Sequence, residues 1–255
     1  MSFEWKKIQE DWSRLDLDAV LVFYLSHISN PKTQSFAFSI LDEEEKKKAL
    51  AFHFEKDRMR FANVRAALKI LLKKFASFKN KEISITYSEY SKPMLLGENR
   101  PCFNVSHSSD SALLAFSLDT DLGIDLEWIT ADRKIESIAQ KHFSEEECDY
   151  IFAAQDLVRT QRFFQLWTAK EAFLKAKGKG LWADLTEARF PLREFTDKQK
   201  AESEGYQLLS LDLPDPHFKG ALCVKGEPKL IEVYETSLEE VFRANDSFDK
   251  SRKSF

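Results

Sequence analysis

The sequence predicts an α+β fold in which the order strand, helix, strands occurs twice, over residues 18–118 and again over 123–235. Runs of β-branched and aromatic residues with a period of two alternate with long helical stretches. Gly and Pro number only 7 each in 255 residues, so long loops should be few. With 43% hydrophobic and 31% charged residues, the chain has the balance of an ordinary globular protein. The expected division is an N-terminal half over 1–118, a C-terminal half over 119–240 and a polar tail over 241–255, although no internal sequence repeat is evident.

The first strand is expected in the β-branched and aromatic run from Asp18 to Ile28. From Asp42 to about Phe78 the chain is rich in Glu, Lys, Ala and Leu without Gly or Pro, which predicts helix, either continuous or broken near His53. Its apolar face includes Ala67, Leu68, Leu71 and Leu72, and the acids from Asp42 to Glu45 suit the positive end of a helix dipole. Ile83 to Tyr87 alternates as a short strand, Ser91-Lys92-Pro93 turns the chain, and Cys102 to Val105 begins another extended piece. Ala112 to Leu118 and Gly123 to Trp128 read as a hairpin closed by Asp119-Thr120-Asp121. Ser144-Glu145-Glu146-Glu147 is a capping box that should start a helix running toward Gln155, and a further helix from about Thr160 should end at Gly178. Tyr206 to Leu213, Gly220 to Val224 and Leu230 to Tyr234 then read as a three-stranded meander.

Composition excludes several classes. A net charge of −4 supplies no uniform basic field, so nucleic acid is not an expected partner and any anion site must be local. The segment Met1 to Lys7 lacks the apolar core of a secretory signal, and no run approaches a membrane span. Cys102, Cys148 and Cys223 are scattered without a C-x-x-C pair, which predicts reduced thiols in the cytoplasm.

The polar residues are more telling. In a strand, Asp125 and Glu127 point to the same face and repel unless one takes a proton or a cation joins them. An oxygen-only set suits a hard ion such as Mg²⁺, while two acids on a wet strand face are the plain alternative. Asn104 and Ser106 share one face of their segment, with Val105 and His107 on the other, and the turn that follows can present NH, OH and imidazole donors to an anion. Trp167, Glu171 and Lys175 share a helix face, where a Glu-Lys pair is commonly a simple salt bridge. Lys177-Gly178-Lys179-Gly180 halts that helix with free backbone NH groups beside positive charge, a feature suited to phosphate as well as to an ordinary cap. Lys48, Arg58, Arg60, Arg65, Lys69 and Lys92 could form a local anion site in a chain that is acidic overall.

In this order, Phe103-Asn104-Val105-Ser106-His107-Ser108, Gly123-Ile124-Asp125-Leu126-Glu127 and Trp167-Thr168-Ala169-Lys170-Glu171-Ala172-Phe173-Leu174-Lys175, followed by Gly178-Lys179-Gly180, resemble the signatures of 4′-phosphopantetheinyl transferases of the larger, surfactin-synthetase-activating type. Weaker similarity runs from Lys46 through Lys92 and over Ala139 to Ser144, so that residues 45–225 are covered in all. The resemblance implies two similar halves related by pseudo-twofold symmetry, each with a small, mainly antiparallel sheet on a long helix, and coenzyme A in the cleft between them. It implies transfer of the phosphopantetheine arm from coenzyme A to a serine of an apo acyl or peptidyl carrier protein, with release of adenosine 3′,5′-bisphosphate. Asp125, Glu127 and Glu171 would hold Mg²⁺, Ser106 and His107 would meet the coenzyme's phosphates, and Lys48, Arg60 and Lys92 would receive the nucleotide and its 3′-phosphate. Glu171 is the expected base, acting directly or through a water, and Lys175 would contact phosphate or orient Glu171. Glu45 stands where some relatives have lysine. A monomer is expected, because one chain contains both walls of the cleft. Two other classes remain open: a non-catalytic coenzyme A or nucleotide-binding protein, against which the three acids argue, and an adaptor that docks carrier protein without chemistry.

Overall fold

The computed structural model describes residues 3–7, 19–75, 83–96, 100–130, 134–179 and 184–243; Asp18, Gly180 and the tail from residue 244 onward, all parts of the expectations above, lie outside them. In chain order the elements are β1 (Lys6–Lys7), β2 (Val20–Ser26), α1 (Gln34–Ile40), α2 (Glu43–Leu50), α3 (Glu55–Phe75), β3 (Ile85–Tyr87), β4 (Pro93–Leu95), β5 (Cys102–Ser108), β6 (Ser111–Ser117), β7 (Leu122–Trp128), α4 (Ile135–His142), α5 (Glu145–Phe152), α6 (Asp156–Ala176), α7 (Leu192–Lys198), β8 (Lys200–Ser203), β9 (Tyr206–Leu211), β10 (Phe218–Lys225) and β11 (Ile231–Ser237).

Two sheets form the centre, one ordered β1-β11-β2-β6-β5 and the other β7-β10-β9-β8, with β3 and β4 as a separate hairpin. Alternation along β2 explains the layering. Leu21, Phe23 and Leu25 pack with Ala67, Leu68 and Leu71 of α3. Val20, Val22 and Tyr24, on the opposite face, meet Ile124, Leu126, Leu209 and Leu222 of the second sheet. The far side of that sheet, through Leu208, Ala221 and Cys223, packs on Phe164, Ala169 and Phe173 of α6. The stack is therefore helix, sheet, sheet, helix. Burying one such large apolar side chain contributes about 1.5–3 kcal/mol, so β2, covered on both faces, anchors the middle of the molecule.

Each half repeats one construction. Capping boxes open α2, through Asp42 and Glu45, and α5, through Ser144 and Glu147. Both glutamates are buried, and each receives a lysine from the long helix that follows: Lys69 Nζ lies 2.5 Å from Glu45, and Lys170 Nζ lies 2.9 Å from Glu147. Lys69 and Lys170 occupy the same position along α3 and α6. An ammonium out of water requires such partners, and Lys170 also donates to the carbonyls of Leu185 (3.2 Å) and Ala188 (2.8 Å).

The helical stretch after Asp42 is broken between Leu50 and Glu55, around His53. Two strand pairings differ from expectation. β6 and β7 form no hairpin, since β6 pairs with β2 and β5 while β7 pairs with β10. The chain crosses from one sheet to the other between them, and the acid pair consequently lies where the two sheets meet. The third segment of the expected meander also leaves its neighbours: β11 runs parallel between β1 and β2, with Val233 opposite Val22. Alternation selects a buried face without naming the strand beside it, which is why the sequence pattern misassigned both partners.

Candidate active site

Two edge strands, β5 and β7, run side by side where the two sheets meet. Side chains of β5 satisfy N–H groups of β7 that lack a backbone partner there. Ile124 N donates to Asn104 Oδ1 at 2.8 Å, and Trp128 N donates to Ser108 Oγ at 3.0 Å. As the alternation predicts, Asn104 and Ser106 are buried, while His107 is exposed on the other face.

Gly123 sets how closely α6 approaches β7. A Cβ there would stand 2.1 Å from the Ala172 carbonyl oxygen and 2.3 Å from the Ala176 nitrogen, closer than any side chain allows. That approach brings Lys175 onto Asp125. Asp125 is 4% exposed; its Oδ1 accepts from Ser106 Oγ at 2.8 Å and from Lys175 Nζ at 2.5 Å. Its Oδ2 is buried without a hydrogen-bond partner. Lys175 Nζ also reaches Ser106 Oγ and the Ile124 carbonyl, each at 3.3 Å. Glu127 Oε2 accepts from Ser108 Oγ at 3.1 Å.

Glu171 is only partly exposed, and its carboxyl pKa is pushed up to about 7. Burial is the largest cause; the Lys175 charge opposes it, and the charges of Asp125 and Glu127 act in the same direction as burial. His107 is exposed at the cleft surface, yet protein crowds its imidazole. That desolvation, followed by the charges of Arg60 and Lys175, holds its pKa below the usual value and favours the neutral ring.

The basic residues separate into groups. Arg60 acts electrostatically on His107, and it contacts Asp57 at 3.2 Å and Ser29 at 3.4 Å. Lys48 and Arg65 converge on the Tyr87 hydroxyl at 3.2 and 3.0 Å, with the Lys48 ammonium 5.5 Å from the Phe61 ring centre. Glu45 takes up Lys69 and lies 3.7 Å from Arg65, so part of the positive charge expected of this segment is neutralised internally. Lys92 braces the two halves: its ammonium donates to the carbonyls of Leu122 (3.0 Å) and Lys175 (2.7 Å), and burial lowers its pKa.

Among the described residues, no three Asp, Glu, His or Cys side chains are gathered closely enough to ligate one ion. Lys175 holds Asp125 instead. The donors still fit a hard cation, because the set is all oxygen, Asp125 Oδ2 is buried without a partner, and the neighbouring acids disfavour ionisation of Glu171. Ser108 and Gly123 had no role assigned from sequence. The repeated spacing of Asn104, Ser106 and Ser108 signals the first, whereas nothing in the sequence marks the close helix approach at the second.

Acids suited to a hard cation, bordered by lysine, arginine and neutral histidine, are the kind of set that diphosphate chemistry uses. A family model described as 4′-phosphopantetheinyl transferase superfamily matches residues 121–215, and one described as 4′-phosphopantetheinyl transferase, N-terminal, matches residues 29–118. The 4′-phosphopantetheinyl transferase HetI of Nostoc sp. is 31% identical over 189 residues, covering 73% of this chain and 79% of the relative. The 4′-phosphopantetheinyl transferase Sfp of Bacillus subtilis is 28% identical over 193 residues, covering 76% and 78%. A Synechocystis sp. protein, provisionally named for the same activity, is 34% identical over 151 residues, which span 58% of this chain and 61% of that protein. This chain belongs to the 4′-phosphopantetheinyl transferase family. Membership makes it an enzyme whose substrates are coenzyme A and an apo carrier protein. No helix among the described residues is long and apolar enough to cross a membrane.

Proposed function

We propose that the cleft moves the 4′-phosphopantetheine arm of coenzyme A onto a serine hydroxyl of an apo acyl or peptidyl carrier protein, in a Mg²⁺-dependent reaction that releases adenosine 3′,5′-bisphosphate. The serine oxygen bonds to the β-phosphorus of the diphosphate, the bond from that phosphorus to the bridging oxygen breaks, and the serine proton passes to Glu171. In the metal-free protein burial and the neighbouring acids push the Glu171 carboxyl up to about 7, and a carboxylate placed beside the reacting hydroxyl is a suitable base for its proton. Asp125, Glu127 and Glu171 would hold the ion, which supplies positive charge against the negative charge gathering on the leaving phosphate. Lys175 neutralises Asp125 in the substrate-free protein and contacts phosphate, or orients Glu171, once coenzyme A is bound. Neutral His107 donates a hydrogen bond to a phosphate oxygen, and Ser106, whose single hydroxyl proton goes to Asp125 in the substrate-free protein, turns to phosphate once the ion takes over that carboxylate. Lys48 and Arg60 receive the nucleotide and its 3′-phosphate, and the remaining N–H of Lys92 is available for the same role.

The observation that supports this reading most is the unpartnered Oδ2 of Asp125, an acid that together with Glu127 adds to burial in raising the pKa of Glu171. A cytoplasmic monomer completes the reading. Incubation with coenzyme A, Mg²⁺ and apo carriers of fatty-acid, polyketide and nonribosomal-peptide synthesis should add the phosphopantetheine mass to at least one carrier, and EDTA should abolish the addition. Absence of the mass from every carrier overturns the assignment.

A further inference from the structure

The hydroxyls of β5 divide their work. Ser106 lies between Asp125 and Lys175, within reach of both. Ser108 contacts neither a lysine nor an arginine among the described hydrogen bonds; its hydroxyl donates to Glu127 Oε2 at 3.1 Å and accepts from Trp128 N at 3.0 Å. Its single donor and one of its acceptor sites are therefore both engaged with β7, and both contacts lie across the junction of the two halves. We propose that Ser108 is a positioning residue for the acidic centre: the N-terminal half supplies one hydroxyl to each acid of the pair, and Ser108 fixes Glu127 for the cation.

The physical case rests on freedom and direction. Glu127 has three rotatable side-chain bonds on a partly exposed strand end, so each contact to its carboxylate narrows the positions it samples. Ser108 holds one oxygen and, through the Trp128 amide, the backbone immediately after it. The side chain and the strand that carries it are thus held from one point. Asp125 has the corresponding arrangement, with Ser106 on its side chain and Asn104 on the amide of the residue before it, Ile124. Partners that orient a metal ligand typically account for about 10–100-fold in metal affinity. Ser108 therefore acts through Glu127 without itself contacting coenzyme A.

This inference rests on the proposed Mg²⁺ site, and the experiment separates the two. Calorimetric titration of the metal-free full chain with Mg²⁺, and with Mn²⁺ as a second probe, compares wild type with Ser108→Ala and Ser108→Thr. Ser108→Ala should weaken metal affinity about tenfold or more and lower kcat, while binding of adenosine 3′,5′-bisphosphate in EDTA stays within about twofold of wild type. Ser108→Thr retains the hydroxyl and should recover most of the affinity. Should the alanine variant fold poorly, Ser108→Cys, which keeps the size but donates weakly, should show the same loss. Unchanged metal affinity in a folded Ser108→Ala overturns the role of Ser108 and leaves the transferase reading standing. Weakened nucleotide binding in EDTA also overturns it, because the hydroxyl would then serve coenzyme A directly. A wild type that binds neither metal ends the metal reading, and the role of Ser108 with it.

Discussion

Helices α3 and α6 are each 21 residues long, each follows a capped short helix, and each buries a lysine on the glutamate of that cap. They differ at the acidic centre: α3 sends Arg60, paired with Asp57, toward His107, whereas α6 sends a carboxylate and a lysine toward Asp125 and Glu127. The residue after Lys69 is Ile70, which faces the core, whereas the residue after Lys170 is Glu171. The clamp common to both halves is architecture. The chemistry belongs to one half, through a carboxylate, a lysine one turn on, and a glycine on the facing strand that lets the helix come close.

The largest expected effect is on the feature that α3 lacks. Glu171→Gln should reduce single-turnover transfer to a carrier by roughly 10²–10⁴-fold, the range for losing a general base, with the melting temperature kept or raised. Near-normal transfer would show that the proton leaves by another route. Next comes the shared clamp. Lys170→Met leaves Glu147 buried and uncompensated and should cost about 3–5 kcal/mol in urea unfolding. Lys69→Met should cost less, because Arg65 remains near Glu45; equal losses would show that the halves are more alike in energy than in their contacts. Gly123→Ala should cost about 1–3 kcal/mol, and its transfer rate should fall further than its stability accounts for, since α6 must retreat from Asp125. A variant as active as wild type would detach the helix approach from catalysis.

The smallest effect concerns pH. The folded chain holds the Glu171 proton up to about pH 7, while an unfolded glutamate releases it near its ordinary value of 4.5. Between those values the folded state binds more protons, so this group's stabilisation of the metal-free protein is full below about pH 4.5 and is lost as pH rises through 7. Glu171→Gln should lose that component of the stability profile. A cation competes with the same proton, so Mg²⁺ affinity should be about tenfold weaker at pH 6 than at pH 8. Identical affinities at the two values would mean that Glu171 is not among the ligands.

Much of this arrangement was legible in the chain. The capping box at Ser144, the break near His53 and the opposite faces of Ser106 and His107 are local matters of spacing, and spacing is what a sequence displays. The acid pair and the Glu171 helix were likewise visible as motifs. What escaped was partnership over distance. The alternation of β11 suits either sheet, and Lys92 reads as a free cation until the two carbonyls it braces come into view. Lys69 and Arg65 look available for phosphate until Glu45 is seen beside them. Charge and periodicity state what a residue can do, and only the fold states which neighbour claims it.

The placement of β11 between β1 and β2 has a consequence for how the molecule is made. A ribosome delivers β2, α3, β5 and β6 early, but the sheet they belong to keeps an open side along β2 until residues 231–237 have emerged. The later half, whose sheet runs from β7 to β10, has all its strands before that point. The part of the protein that is synthesised first is therefore completed last, and a nascent chain halted before residue 231 would expose a bare edge of β2 to any passing strand.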